Sequence, residues 1–393
     1  MQTLGVYIQI PFCASKCSFC NFSSRVGKAA LLQKYSNAVE KEIARLPQIL
    51  EAEGLAAGVF SLPVDTLYVG GGTPPLLGGA KLRRIWQGLA RTFGMKQVRE
   101  VTLEVTPGSA DDQFLAEILE LGVNRLSIGA QSFSDRELSA VGRLHSAHET
   151  RELVGGARRA GCRNISLDLI AGLPHQSETS WQETLRAALD LAPEHVSVYI
   201  FEVDEKSRLG GEVLRHGTRY RADAVPSEEF VTEAYNAARR QLMDAGYAQY
   251  EISNFALPGC ESLHNRKYWR LDSYIGIGAG AHSFDGAHRW SNEVQPEIYA
   301  QRLDSGASPV AEKNMLSVEE QLEEFFFLGL RERAGVDPGL ARSRWGEGPA
   351  RRVDPVIARL LREGWLEKDG ERIRLAEQAL LISNEVFQEF LAA

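Results

Sequence analysis

Residues 7–22 read YIQIPFCASKCSFCNF: an apolar run ends at a proline and opens into three cysteines, Cys13, Cys17 and Cys20. Val6–Ile10 has the β-branched and aromatic character of a strand, and Pro11 stops it. Five further strand-like segments follow, at Asp65–Gly70, Glu100–Val105, Arg125–Ala130, Ile165–Ile170 and Val196–Phe201. Amphipathic runs lie between them, at Ala29–Glu53, Ala80–Phe93, Ala110–Leu121, Ser146–Ala160 and Thr179–Leu191, and Ser227–Ala245 follows the sixth strand. The alternation predicts parallel β/α units. Runs such as VSVYIF (196–201) predict strands buried on both faces.

The polar residues choose between a barrel and a doubly wound sheet. The cysteines follow the first strand and GGGTPP (70–75) the second; Glu104 is near the end of the third. Gln131 lies just past the fourth, Asp168 within the fifth, and Glu202 after the sixth. Chemistry at the carboxyl ends of successive strands is the mark of a barrel, whereas a doubly wound sheet gathers it at one switch point. The expected fold is α/β, an incomplete, open (β/α)6 barrel over residues 1–225 with a flanking region over 226–308. From about Pro309 the texture changes. A capping Ser317 begins an amphipathic helix, and a second helix and a hairpin with Asp369-Gly370 at its turn follow, which resembles a winged-helix-like α+β accessory unit over 309–393.

At 393 residues, 44% hydrophobic and 24% charged, the chain has the makeup of a folded protein with a sizeable core rather than a disordered one. Fifty-two acids against 44 bases give a net charge of -8, so no global attraction to nucleic acid or anionic lipid is expected. Ten arginines between Arg331 and Arg374 are interleaved with eight acids, which predicts a solvated face there. The uncharged stretches Thr66–Ala80 and Ser273–Phe284 are too short to span a bilayer, and Met1–Ile10 carries no secretory pattern. A cytoplasmic protein that is not integral to a membrane is expected. Five cysteines, an odd number, do not make a disulfide framework.

The spacing Cys13-x3-Cys17-x2-Cys20 asks for a metal. Structural zinc wants four ligands, and a fourth would have to come from Cys162, Cys260 or a distant histidine. Iron–sulfur clusters are held by closely spaced cysteines, and three thiolates on four irons leave one iron open to a ligand.

The segment 7–22 resembles the signature loop of the radical S-adenosylmethionine (radical SAM) superfamily. More narrowly it is similar to the branch that contains oxygen-independent coproporphyrinogen III dehydrogenase and the HemW haem chaperones. YVGGGTPPLL (68–77), LEVTPG (103–108), LSIGAQSF (126–133), GRLH (142–145), LDLIAGLPHQ (167–176), YEISNFA (250–256), HNRKYW (264–269) and YIGIGAGAHS (274–283) carry the resemblance along the whole chain. The resemblance implies that Cys13, Cys17 and Cys20 bind a [4Fe-4S] cluster. S-adenosylmethionine would chelate the open iron, and a flavodoxin- or ferredoxin-type donor would supply the electron that cleaves its sulfonium to a 5′-deoxyadenosyl radical. It places Gly71, Gly72 and Thr73 at the methionine moiety, where little side-chain bulk lets backbone approach. Arg143 is suited to a carboxylate; Glu104, Gln131 and Asp168 are suited to ribose hydroxyls and an ammonium group. Tyr7 and Phe19 flank the loop and by resemblance contact the cosubstrate.

Three features separate the two members of that branch. The dehydrogenase type carries another cysteine two positions after the last cluster ligand, where this chain has Phe22. It has a long extension ahead of the cluster, for which Cys13 leaves no room. HNRKYW matches an element associated with haem in the chaperone group, so His264, Asn265, Tyr268 and Trp269 are expected at a haem site, with imidazole as a natural iron ligand. The reading is a haem chaperone of the HemW type, with haem as cargo and client haemoproteins such as respiratory enzymes as partners. The alternative is the dehydrogenase, which would oxidatively decarboxylate propionate side chains of coproporphyrinogen III. A tRNA-modifying enzyme docking through the C-terminal unit is disfavoured by the net acidity.

Overall fold

The computed structural model describes residues 2–55 and 58–391. Six strands alternate with helices as the sequence predicts: β1 (Leu4–Ile10), β2 (Val64–Gly71), β3 (Glu100–Val105), β4 (Arg125–Gln131), β5 (Ile165–Ala171) and β6 (His195–Ile200). The helices between them are α1 (Ala29–Glu53), α2 (Gly79–Phe93), α3 (Asp112–Glu120), α4 (Ala147–Arg159) and α5 (Glu178–Asp190). Capping boxes at Ser146/Glu149 and Ser177/Ser180 fix the starts of α4 and α5. α6 (Glu228–Asp244) packs beside α5.

All six strands run parallel in the order β1 to β6, with β1 aligned to β2 from Gly5 opposite Thr66 to Ile10 opposite Gly71. The strands are buried on both faces as expected, and the two faces differ in chemistry. Val6, Ile8, Leu67, Val69, Leu103, Leu126, Leu167 and Val196 belong to the apolar core under the helices. The residues alternating with them are polar: Thr66, Tyr68, Glu104, Arg125, Ser127, Ser166, Asp168, His195 and Ser197. With a period of two, these point the other way, into the lumen. Both faces are buried, but the inner one is covered by hydrogen-bonding partners rather than hydrocarbon.

The sheet continues past six strands. β7 (Asn254–Ala256) adds antiparallel to β6, and Ala248–Gln249 pairs beyond it. On the other side β8 (Tyr274–Ile277) adds parallel to β1, a seventh parallel strand that the glycine-rich sequence 273–284 conceals. Three antiparallel strands follow, β9 (His282–Phe284), β10 (His288–Asn292) and β11 (Val310–Met315). The sheet is twelve-stranded, and among the described residues its two edge strands do not pair, so the barrel is open.

α7 (Leu263–Trp269) carries HNRKYW and closes the floor of the lumen, at the amino ends of the strands. Glu100, the first residue of β3, accepts from the backbone N–H groups of Leu263 (2.8 Å) and His264 (2.9 Å), so a carboxylate caps the helix. Lys267 is 3% exposed, with Nζ 2.8 Å from Asp65 and donating to Thr3 at 2.8 Å. Arg266 and Arg270 both reach Glu332 beyond the barrel, at 2.9 and 3.0 Å.

The C-terminal unit has its own core, from Leu322 to Phe390. α8 (Val318–Gly329) starts with the expected Ser317 cap, closed into a box by Glu320. The strands Leu366–Asp369 and Arg372–Leu375 form the hairpin, with Gly370 at a φ of 61° in its turn. α9 (Ser383–Leu391) packs on α8. The first strand of the segment 309–393, β11, belongs to the barrel sheet.

His264 is fully buried on this floor. Nδ1 is 2.9 Å from Thr66 Oγ1 and Nε2 is 2.9 Å from the Tyr268 hydroxyl, while the ring packs against Tyr7 and Tyr68. Burial, with Lys267 next, pushes its pKa down to about 3, so it is neutral. His264→Ala leaves Thr66 and Tyr268 without their buried partner and should lower unfolding free energy by about 2 kcal/mol in urea denaturation.

Candidate functional site

The three cysteines lie on the loop that leaves β1 at its carboxyl end. Short contacts fix this loop to the rest of the barrel. Ser18 N–H donates to Val141 O (3.0 Å), Leu209 N–H donates to Ser18 O (2.8 Å), and Arg208 donates to Lys16 O. Cys20 N–H closes a turn on Cys17 O at 3.3 Å. Cys13, Cys17 and Cys20 are half-buried and line one cavity of about 760 Å³. Cys162 is buried in the apolar core outside the sheet, and neither it nor Cys260 lines that cavity.

The GGGT turn stands beside the loop for a physical reason other than the one its composition suggests. Gly72 and Thr73 donate their N–H groups to Ile10 O (2.9 Å) and Phe12 O (2.7 Å), locking the turn to the start of the cysteine loop. A Cβ at Gly72 would lie 2.4 Å from Phe12 O, and Gly71 has a φ of 109°. Here glycine is demanded by chain against chain. Gly71, Gly72 and Thr73 also line the cavity.

Two carboxylates stand below the turn. Glu104 accepts from Gly71 N–H and from the Tyr68 hydroxyl, both at 2.8 Å. Burial pushes its carboxyl up to about 7 against the pull of these donors. Asp168 accepts from Ser197 (2.8 Å) and Ser127 (3.1 Å), and burial raises it too. Arg143 donates to Gly129 O at 2.7 Å and to His145 Nδ1 at 3.3 Å, and its Nη1 is 3.7 Å from Cys17 Sγ. His145 is pushed down to about 4 by burial and by Arg143, so it is neutral and serves as the acceptor that aims the guanidinium. Gln131 ends β4 at a register shift with a left-handed φ of 67°.

Of the residues expected at the site, Cys13, Cys17, Phe19, Cys20, Gly71, Gly72, Thr73, Glu104, Gln131, Arg143, Asp168 and Asn265 line the cavity. Tyr7 does not: it stacks on Tyr68 with ring centroids 5.8 Å apart, and its hydroxyl donates to Gln9 at 2.6 Å. Of the four HNRKYW residues expected at a haem site, Asn265 is in the cavity wall. His264 is a core histidine with both ring nitrogens engaged, and Tyr268 and Trp269 do not line the cavity. Tyr268 packs edge-on to Tyr274, and Trp269 is covered by Arg331 at 4.5 Å.

Among the described residues no three Cys, His, Asp or Glu side chains converge closely enough to share one metal ion. The thiolates of a four-iron cluster sit on separate irons, so three thiols spaced along one loop fit that group better than a single ion.

Comparison with known proteins accounts for this arrangement. A model of the Radical SAM superfamily matches residues 7–188, and one of the HemN C-terminal domain matches residues 316–382. The heme chaperone HemW of Bacillus subtilis is 32% identical over 388 residues, 98% of this chain and 99% of that protein. HemW of Mycobacterium tuberculosis is 32% identical over 99% of this chain and 95% of its own length. The chain belongs to the HemW family of radical SAM proteins. The solved structure of coproporphyrinogen III oxidase, HemN, from Escherichia coli superposes with a TM-score of 0.85 over 99% of this chain and 90% of that one. At 23% identity this shows a shared fold. The HemW family implies a [4Fe-4S] cluster and S-adenosylmethionine, and the donor set at the cavity mouth suits both.

Sequence reasoning missed several lining residues. Arg125, Ser127 and Gly129 are in phase with Gln131 on β4, and that phase was a usable signal. Arg331, Leu380, Ser383 and Asn384 come from the C-terminal unit, and no local pattern marks them.

The folded pKa of Glu104 exceeds the ordinary carboxylate value. Between about pH 4.5 and 7 the folded state therefore binds more protons than the unfolded one, and this contribution to stability falls as pH rises through that window. Glu104→Gln should flatten that part of the pH dependence in thermal denaturation.

Proposed function

We propose that this protein is a haem chaperone, binding haem and passing it to client haemoproteins such as respiratory enzymes. The observation that carries the reading is the match to HemW proteins along nearly the full length of both chains. Phe22, 67% exposed at the cavity rim, supports it, because the position holds no thiol. The cavity also suits a large amphipathic ligand, with apolar Leu76, Ile170 and Phe201 beside its charged groups.

Within this reading Cys13, Cys17 and Cys20 hold the [4Fe-4S] cluster. Gly71, Gly72, Thr73, Glu104, Gln131, Arg143 and Asp168 hold S-adenosylmethionine, with Phe19 in the cavity wall and Tyr7 behind Tyr68. When bound and reduced by a flavodoxin- or ferredoxin-type donor, this pair supplies one-electron cleavage of the cosubstrate. The chain's own part is preorganisation. His145 and Gly129 O aim Arg143, the serines hold Asp168 in place, and Glu104 keeps one oxygen on Gly71 N–H, which ties the ligand-facing carboxylate to the turn. Cys17→Ala should abolish the brown cluster chromophore and the iron content with it, and an intact chromophore would remove the cluster assignment.

The test of function is a product analysis followed by a haem titration. The cluster is reconstituted anaerobically, and reductant, S-adenosylmethionine and coproporphyrinogen III are added. No protoporphyrinogen is expected, with 5′-deoxyadenosine read as a control, and stoichiometric haem binding is expected in the titration. Protoporphyrinogen at many turnovers would make this a dehydrogenase.

A further inference from the structure

Arg125 is the first residue of β4 and sits on the floor of the lumen, 2% exposed and in the cavity wall. Its Nε is buried without a hydrogen-bond partner, and among the described residues its guanidinium makes no hydrogen bond or ion pair. The acids near it are committed elsewhere. Glu100 accepts from the two backbone N–H groups at the start of α7, and Asp168 accepts from Ser197 and Ser127. Of the other arginines in this wall, Arg143 donates to Gly129 O and His145, while Arg331, whose Nε also lacks a hydrogen-bond partner, covers Trp269 and lies 3.8 Å from Glu251. The cost of burial is outweighed by the charges of Glu100 and Asp168, which hold the guanidinium protonated, but its N–H groups still lack an acceptor, and an acceptor from outside the chain would fill that place.

A second donor faces the same space. The half-buried side-chain amide of Asn265 lines the cavity and, among the described residues, makes no hydrogen bond. A guanidinium beside an amide recognises a carboxylate, the guanidinium in bidentate fashion. The methionine carboxylate of S-adenosylmethionine belongs at the other end of the barrel. The strand from Arg125 to Gln131 is roughly 20 Å long at about 3.3 Å per residue, which puts the floor out of its reach.

We propose that the floor of the lumen is a carboxylate subsite, in which Arg125 and Asn265 take a propionate group of the porphyrin cargo. The inference rests on the haem-chaperone reading above. It also gives HNRKYW a different part in haem binding: the motif contributes Asn265, while His264 holds the floor together.

The test compares iron protoporphyrin IX with its dimethyl ester, in which both propionates are neutral, by absorbance titration of the full-length protein with its cluster in place. The unaltered protein should bind the free acid about tenfold or more tightly than the ester. Arg125→Gln should weaken binding of the acid to the level of the ester, Arg125→Lys should fall between, and the loss for haem should exceed any change in the affinity for S-adenosylmethionine, which the neighbouring Asp168 transmits. Equal binding of acid and ester by the unaltered protein would overturn the subsite, and that comparison holds even where a variant fails to fold. Unchanged haem affinity with lost S-adenosylmethionine affinity in Arg125→Gln would overturn it too, assigning the residue to the cosubstrate. If the unaltered protein bound neither porphyrin, the chaperone reading would fall and the subsite with it.

Discussion

The polar face that the parallel strands turn inward must be satisfied after it leaves water, and most of the molecule follows from that requirement. An unpaired buried amide or hydroxyl costs a few kcal/mol and an unpaired charge far more, so the lumen carboxylates are held on fixed partners. Glu104 finds Gly71 and Tyr68, Asp168 finds serines on both neighbouring strands, and Glu100 finds the start of α7. These pairings hold the loops above and the helix below in register with the sheet. The site is accurate because the lumen cannot tolerate disorder.

The same requirement divides the barrel into two ends with different duties. At the carboxyl ends of the strands, half-buried thiols, the Arg143 guanidinium and the Glu104 carboxylate line the cavity. At the amino ends, Lys267, Asp65, His264 and Thr66 are consumed by one another, as expected where a barrel keeps its stability rather than its chemistry. Arg125 stands apart: Glu100 and Asp168 balance its charge, but among the described residues its guanidinium makes no hydrogen bond.

The order of strands and helices was legible because each β/α unit is a local pattern, and the bounds of α1 fall where its periodicity puts them. β8 was hidden because Tyr274–Ile277 is short and runs into Gly276, Gly278 and Gly280, which read as loop. The polar lumen was not legible for a different reason. VSVYIF looks wholly apolar unless its phase is tracked, and Ser197 counts for little by composition but is one of the groups that hold Asp168. The cysteines and the GGGT turn were readable by spacing, although the glycines prove to serve the packing of Phe12 as much as a ligand. His264 could not be placed from sequence. Its partners are Thr66 and a tyrosine four residues on, and neither signals burial until the helix is seen under the sheet.

The floor helix also has a consequence for biosynthesis. Glu100 leaves the ribosome 163 residues before the Leu263 N–H it accepts, and β1 is made long before β8, its neighbour in the sheet. At about 5–20 residues per second the delay is roughly 10–30 s. Throughout it, β1 has neither the floor helix nor its outer neighbour, and the thiols of Cys13, Cys17 and Cys20 are already outside the tunnel. The cysteine loop therefore hangs from a strand that gains its second parallel neighbour only once residue 277 has been made.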